Sequence, residues 1–131
     1  MQYRDSLEAL LAESDVVSLN CPLTPQSRHL INAATLQQMK PGAILVNAGR
    51  GALVDEQALV AALACGHLGG AGLDVYEFEP EITPQLLEFD NVTLLPHIGG
   101  ATAECRTDMA LRACANIRHY LAEGRPIDNC V

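Results

Sequence analysis

Residues 43–75 read AILVNAGRGALVDEQALVAALACGHLGGAGLDV, and the order of patterns within them decides the fold. Ala43-Ile44-Leu45-Val46-Asn47 is a short apolar run of the kind a buried strand needs. Asp55 stands where a helix N-cap is expected. Leu59, Val60 and Leu63 follow it at helical spacing, and Gly66 closes the helix. Gly72-Leu73-Asp74-Val75 supplies a second strand. Strand, helix and strand in succession make a βαβ unit, which implies a parallel sheet.

The same alternation extends in both directions. Upstream, Leu7, Leu10 and Leu11 keep a helical spacing and lead into Asp15-Val16-Val17-Ser18-Leu19, a short strand. Asn32 can cap a helix that runs to Met39 and breaks at Lys40-Pro41-Gly42. Downstream, Val92-Thr93-Leu94-Leu95 reads as a fourth strand. A long helix is predicted from about Thr102 to Glu123, with Met109, Ala113, Ile117 and Leu121 on one face and Gly124-Arg125-Pro126 at its end. The expected fold is α/β: about four parallel strands of a doubly wound sheet, with helices on both faces. Positions 76–91, rich in Glu and Pro, are expected to be an ordered loop. No repeat, linker or low-complexity tract interrupts the chain.

Composition agrees with a packed domain and narrows the function. The 131 residues are 49 % hydrophobic and 18 % charged, too few charges for disorder. Trp is lacking and aromatics are few, so Leu, Val, Ile and Ala must fill the core. A net charge of −8 argues against a nucleic-acid partner, which calls for clustered Lys and Arg. No apolar run reaches membrane-span length, and no secretory signal pattern opens the chain. The five cysteines, Cys21, Cys65, Cys105, Cys114 and Cys130, form no CxxC pair and no zinc-spaced cluster. Free thiols in a reducing cytoplasm, with no metal, are the expectation.

In open parallel sheets ligands bind beyond the carboxyl ends of the strands. That rule selects Asn20-Cys21-Pro22, the run from Asn47 to Gly51, the run from Asp74 to Pro80, and the run from His97 to Gly100. An arginine between glycines at a strand end, Arg50, can grip a carboxylate with paired hydrogen bonds, although such a residue is as readily a surface Arg in a turn. Asp74 can bind a ligand's amide or cap the next element, and capping is the commoner role. Glu77 reads as a solvated loop charge. His97 follows Pro96 and precedes Ile98-Gly99-Gly100; an imidazole there can exchange a proton with a substrate oxygen, while a lone histidine is usually structural. A carboxylate such as Glu79 beside it would favour its protonated form. Taken together, an Arg for a carboxylate, a His for a proton and a Glu for the His suit reduction of a 2-keto acid.

The stretches LLAESDVVSLNCPLTPQSRHLIN, MKPGAILVNAGRGALVDEQALVAAL, GAGLDVYEFEP and NVTLLPHIGGATAECR resemble the D-isomer-specific 2-hydroxyacid dehydrogenases over nearly the whole chain. NAGRG, LDVYEFEP and PHIGG in this order carry the likeness. The ending, ATAECRTDMALRACANI with PIDNCV, is most similar to the glyoxylate, hydroxypyruvate and 2-ketogluconate reductase branch, apart from Cys105, where that branch often has Thr. The resemblance implies a Rossmann-like fold and an oxidoreductase using NAD or NADP. It implies that Arg50 binds the substrate carboxylate and carbonyl, that His97 protonates the C2 oxygen, and that Glu79 holds His97 protonated. It places Asp74 on the nicotinamide carboxamide, with Ala48, Gly49, Gly99 and Gly100 nearby, and Cys21, Pro22 and Ser27 along the adenosine. Arg28, His29, Asp55, His67 and His119 are left to packing, capping or solvent. For the intact enzyme it implies a homodimer.

The family's GxGxxG fingerprint does not occur in these residues; the glycines from Gly66 to Gly72 lie between a helix and a strand, the wrong order for a phosphate loop. Residues 1–131 are therefore expected to be the C-terminal portion of a dinucleotide-binding domain, without its GxGxxG half and substrate domain, and from a truncated gene or fragment. Such a chain is expected to bind the dinucleotide poorly, and its Val16–Leu19 strand to be an edge that invites self-association. The competing readings are a phosphoglycerate dehydrogenase, a non-catalytic dinucleotide-sensing module, as in corepressor relatives, and an inert fragment.

Overall fold

The structure, a computed structural model, describes residues 2–128. The chain divides into two compact units, with the boundary between His97 and Ile98.

The first unit is a four-stranded parallel sheet of β1 (Val16–Leu19), β2 (Ile44–Asn47), β3 (Gly70–Leu73) and β4 (Val92–Leu94), in the order β1-β2-β3-β4. Helices α1 (Leu7–Glu13), α2 (Ala33–Gln38) and α3 (Glu56–Ala64) accompany it. Each helix begins where its sequence offers a side-chain cap. Ser6 accepts from the Ala9 N–H, Asp55 accepts from the Ala58 N–H at 3.1 Å, and Asn32 and Thr35 form a reciprocal capping box. Gly66, at φ +72°, turns the chain out of α3.

Register explains how the core is filled. Val17, Leu45 and Ala71 are aligned across three strands, and so are Leu19, Asn47 and Leu73. All six are buried, and their apolar members join Leu11, Leu36, Leu59 and Leu63 from the three helices in one cluster. The three helices thus serve the same face, where the sequence reading expected helices on both faces of the sheet. Parallel crossovers are nearly always right-handed, so strands added successively in one direction place every connecting helix on one side. The alternate residues point the other way, and Val16 and Ile44 there are exposed. As the sequence implies, β1 is an edge strand.

Two local differences from the sequence reading have clear causes. β3 starts at Gly70, two residues before the position expected from the apolar pattern. Glycine is a poor strand former, but here backbone comes too close for any other residue: a Cβ on Gly70 would lie 2.6 Å from the Asn91 carbonyl oxygen, and one on Gly69 would lie 2.3 Å from that of Gly42. The loop at 76–91 contains a 3₁₀ segment, Pro84–Glu88, that buries Leu86.

The second unit is built on α4 (Ala103–Glu123), capped by Thr102 and ended by Gly124 in the left-handed conformation. Of its predicted apolar face, Met109, Ile117 and Leu121 are exposed. Asn116 takes the backbone N–H groups of Ile127 (2.8 Å) and Asp128 (2.9 Å) on its Oδ1. The paired Arg112 guanidinium, with Asn116, lowers the Asp128 carboxyl to about 2.

Candidate functional site

The carboxyl ends of β2, β3 and β4 converge on a small group of polar residues, and Asn47 organises the first of them. It is the last residue of β2, and its side chain is buried. Its Oδ1 accepts the Gly49 N–H at 3.1 Å, and its Nδ2 donates to the Arg50 carbonyl at 3.0 Å. One amide therefore fixes both sides of the turn that carries Arg50, an Asx arrangement available to Asn because it is both donor and acceptor. The Arg50 side chain is exposed, with Nη1 donating to the Gly49 carbonyl at 2.8 Å. Gly51 is buried, and a Cβ there would stand 1.9 Å from both the carbonyl carbon and oxygen of Tyr76. No side chain of any size fits. The turn after β2 is thus pressed directly onto the backbone after β3.

That second segment holds the next two groups. Asp74 is buried, and its N–H donates to the Asn47 carbonyl at 3.0 Å, which ties the two strand ends together. The Tyr76 hydroxyl lies 2.8 Å from the Leu95 carbonyl. Burial, followed by the nearby Asp74 charge, raises its pKa above the ordinary phenol value. The Tyr76 N–H donates to Glu79 Oε1 at 3.0 Å, and the other oxygen of Glu79 lies 2.9 Å from His97 Nδ1.

His97 sits at φ +56°, a conformation few non-glycine residues adopt and one that recurs at functional positions. It leaves β4 by way of Pro96 and reaches back to Glu79. Burial works against ionisation of Glu79, but the hydrogen bonds from His97 and from the Tyr76 N–H outweigh it, helped by the charges of His97 and Arg50. The Glu79 carboxyl therefore has a pKa below its ordinary value. The three residues expected from sequence to act together are within electrostatic reach of one another.

A pH dependence follows. Folding favours ionised Glu79, so its contribution to stability is complete above the ordinary carboxyl range and is lost as pH falls through the lower folded value. Urea midpoints of the wild type and Glu79→Gln are expected to differ near neutrality and to converge below about pH 4. A gap that persists unchanged in acid would contradict this assignment.

Two recesses border these residues. One, of about 540 Å³, lies beyond β1 and β2 and is lined by Asn20, Cys21, Pro22, Leu23, Ala48, Gly49 and Arg50. The other, of about 370 Å³, lies beside Tyr76, Glu79, Pro80, Pro96 and His97. Within the first, Ser27 braces the wall: its Oγ donates to the Pro22 carbonyl at 2.8 Å and accepts the Thr24 N–H at 2.8 Å. A Cβ on Gly49 would crowd the Leu19 and Cys21 carbonyls at 3.3 and 3.4 Å. Small residues and a proline beside open space fit a flat ring system, and a buried carboxylate at Asp74 fits a carboxamide donor. The donor set therefore suits a nicotinamide dinucleotide. Gly99 and Gly100 belong to the second unit, where a turn closes with the Ala101 N–H on the Ile98 carbonyl at 3.0 Å.

One sequence expectation is corrected. Glu77 is not a solvated charge: its side chain is 6 % exposed, and its Oε1 takes Arg28 Nη2 at 2.9 Å and His29 Nε2 at 2.7 Å. A buried carboxylate needs such partners, and these lie too far away in sequence for local reading to pair them. Glu56 was missed as well. It is buried in the first turn of α3 and accepts the Glu77 N–H at 2.7 Å and the Thr83 hydroxyl. Asn47 and Gly51 carried the only local signal, an Asn at a strand end just before glycines. Asp55 caps α3 as expected, and His67 and His119 bond to the Leu36 and Arg125 carbonyls. Among the described residues no cluster has the composition of a metal site, and no helix is long and apolar enough to cross a membrane.

Comparison with known proteins agrees with this geometry. The family described as D-isomer specific 2-hydroxyacid dehydrogenase, NAD binding domain, matches residues 1–99. Glyoxylate/hydroxypyruvate reductase B of Erwinia tasmaniensis is 52 % identical over 99 % of this chain and 40 % of its own length. A crystal structure of a glyoxylate reductase from Paecilomyes thermophila superposes with a TM-score of 0.91 at 46 % identity, covering 93 % of this chain and 37 % of that one. The NADPH-dependent glyoxylate/hydroxypyruvate reductase of Sinorhizobium meliloti, solved with NADP and malonate, gives 0.94 at 36 % identity over 98 % of this chain and 40 % of that one. The chain spans about 40 % of the length of the first of these relatives. On its sequence, its parallel sheet and these likenesses, the chain belongs to the D-isomer specific 2-hydroxyacid dehydrogenase family, within its NAD-binding domain.

Proposed function

We propose that this chain supplies the catalytic rim of an oxidoreductase that reduces small 2-keto acids, of the glyoxylate and hydroxypyruvate type, with NADH or NADPH. The observation that carries the reading is the 2.9 Å contact between His97 Nδ1 and Glu79, made under the charge of Arg50 at the carboxyl ends of one parallel sheet. Because Nδ1 faces Glu79, Nε2 is the nitrogen left to face substrate. The dinucleotide, when bound, supplies the hydride to C2. Arg50 holds the substrate carboxylate through its fork of N–H groups and draws the C2 carbonyl into position. His97 gives its Nε2 proton to the C2 oxygen, and the product is the 2-hydroxy acid. Glu79 balances the imidazolium charge before transfer and keeps the ring in one orientation. Asp74 receives the carboxamide N–H of the nicotinamide, and the recess bounded by Cys21, Pro22, Ala48 and Gly49 takes the adenosine side.

In this reading the residues form one half of the dinucleotide-binding domain, and the phosphate loop is contributed by sequence outside them. The exposed apolar side chains of α4 support a homodimer for the whole enzyme. The free thiols of Cys21, Cys65, Cys105 and Cys114 support a reducing cytoplasm.

The test is oxidation of NADH and NADPH with glyoxylate and with hydroxypyruvate, using this chain beside a version extended through a GxGxxG segment. Turnover in the extended form supports the proposal, and turnover in neither form refutes it. In the active form, Arg50→Ala is expected to raise KM and lower kcat together, because the same guanidinium binds substrate and orients its carbonyl. A change in KM alone would reduce Arg50 to a binding residue.

A further inference from the structure

Outside the catalytic trio, Glu77 carries a buried carboxylate with two side-chain partners from a distant loop. Its carboxylate is buried between Arg28 and His29, which arrive from the loop between β1 and α2. Its own N–H is held by the buried Glu56 carboxylate of α3 at 2.7 Å. The segment from Tyr76 to Glu79 is thus gripped on both sides. The carboxylate of Glu77 grips one loop, while its amide and the tight seat of Gly51 under Tyr76 grip another. Both grips fall within the four residues that end in Glu79.

His29 is built to serve this contact. It lies at φ +50°, so it and His97 are the two non-glycine residues in the left-handed region among those described. Its backbone is fixed at both ends: the N–H donates to the Ala52 carbonyl at 2.9 Å, and its carbonyl accepts from Asn32 Nδ2 at 3.0 Å. That conformation is strained for a residue with a Cβ and persists only where the surroundings over-determine it. Here it aims Nε2 at Glu77 at 2.7 Å.

We infer that the His29–Arg28–Glu77 cluster is a positioning clamp for catalysis: by fixing the segment 76–79 it sets the Glu79 carboxylate against His97 Nδ1. The clamp rests on the proposed role of His97, and it assigns positioning work to three residues that touch neither substrate nor cofactor. Its consequence is that the His97–Glu79 contact loosens when the clamp is opened some distance away. A structural role alone would lower stability and leave that contact unchanged.

The test reads the imidazole directly. In ¹⁵N-labelled chain without substrate, the His97 Nδ1 resonance is assigned by its loss in His97→Asn, and its shift on losing the carboxylate is calibrated with Glu79→Gln. Glu77→Ala and His29→Asn are then compared with Glu77→Gln. Asparagine tolerates the left-handed backbone at position 29 but falls short of Glu77, and glutamine at 77 keeps an oxygen for His29 and Arg28. The expected result is that His29→Asn and Glu77→Ala move the His97 signal in the direction of Glu79→Gln, while Glu77→Gln stays close to wild type. A wild-type His97 signal in a folded His29→Asn protein overturns the clamp, and that variant carries the test if Glu77→Ala fails to fold. Because no turnover is read, failure of the clamp and failure of keto-acid reduction are separate results, each read by its own experiment.

Discussion

Replacing His97 with asparagine is expected to lower kcat for keto-acid reduction by about 10²–10⁴-fold in the active form of the enzyme, with the fold intact. Asparagine is chosen because position 97 holds φ +56°. Of the ordinary residues, Asn and Asp adopt that conformation most readily. Alanine would add a backbone penalty to the loss of the imidazole, and the two would be hard to separate. Asparagine keeps the turn and removes only the group that can carry a proton near neutral pH. KM is expected to change far less than kcat, since the substitution leaves untouched the grip proposed for Arg50 on the substrate carboxylate. The measurement is steady-state reduction of glyoxylate beside an unfolding curve for the same variant. A rate near wild type would remove His97 from the mechanism; a collapse of the unfolding midpoint would show that its contact with Glu79 serves the fold.

The second large effect is on stability. Gly51→Ala places a methyl group 1.9 Å from the Tyr76 carbonyl carbon and oxygen, well inside contact distance. The neighbour is backbone, so no rotamer change relieves the clash. Either the turn carrying Arg50 or the segment carrying Glu79 must move. Overpacked cores lose about 1–3 kcal/mol and sometimes more, and a clash against backbone belongs at the upper end or beyond. Gly72→Ala is the control: the nearest atom to its new methyl would be Val46 Cγ2 at 3.9 Å, an ordinary contact. Urea unfolding of the two variants is expected to show a large drop for Gly51→Ala and little change for Gly72→Ala. Equal midpoints would mean that the close approach at Gly51 is not what holds the two loops together.

These effects mark where sequence reading succeeds and where it stops. Asn32 and Asp55 announced their helices because a cap is a local event, with donor and acceptor three residues apart or fewer. The rim residues Arg50, Asp74, Glu79 and His97 could be picked out because strand ends are local too, and a parallel sheet gathers its carboxyl ends on one side. Glu77 was misread for the opposite reason. Its neighbours in sequence are acidic and proline-rich, whereas its partners, Arg28 and His29, come from a distant loop. The start of β3 was misplaced because Gly69 and Gly70 answer to close approach by Gly42 and Asn91, and strand propensity has no part in it. Glu56 is a favourable first-turn acid by position, but its hydrogen bonds to residues 77 and 83 depend on tertiary structure and leave no local sign.

The order of the strands also bears on how the chain acquires its shape. In β1-β2-β3-β4 no strand is inserted between two older ones, so β2, β3 and β4 each pair with the strand made just before them. During synthesis these three strands can therefore add in turn as each βα segment leaves the ribosome, without reopening the pairings among the four. Loop-closure entropy is met in short instalments instead of one long search, which favours fast assembly for a parallel sheet. The residues of the rim are delivered in the same sequence, Arg50 first and His97 last. The pairing of His97 with Glu79 is accordingly completed only when β4 has docked, so this contact reports that the last strand is in place.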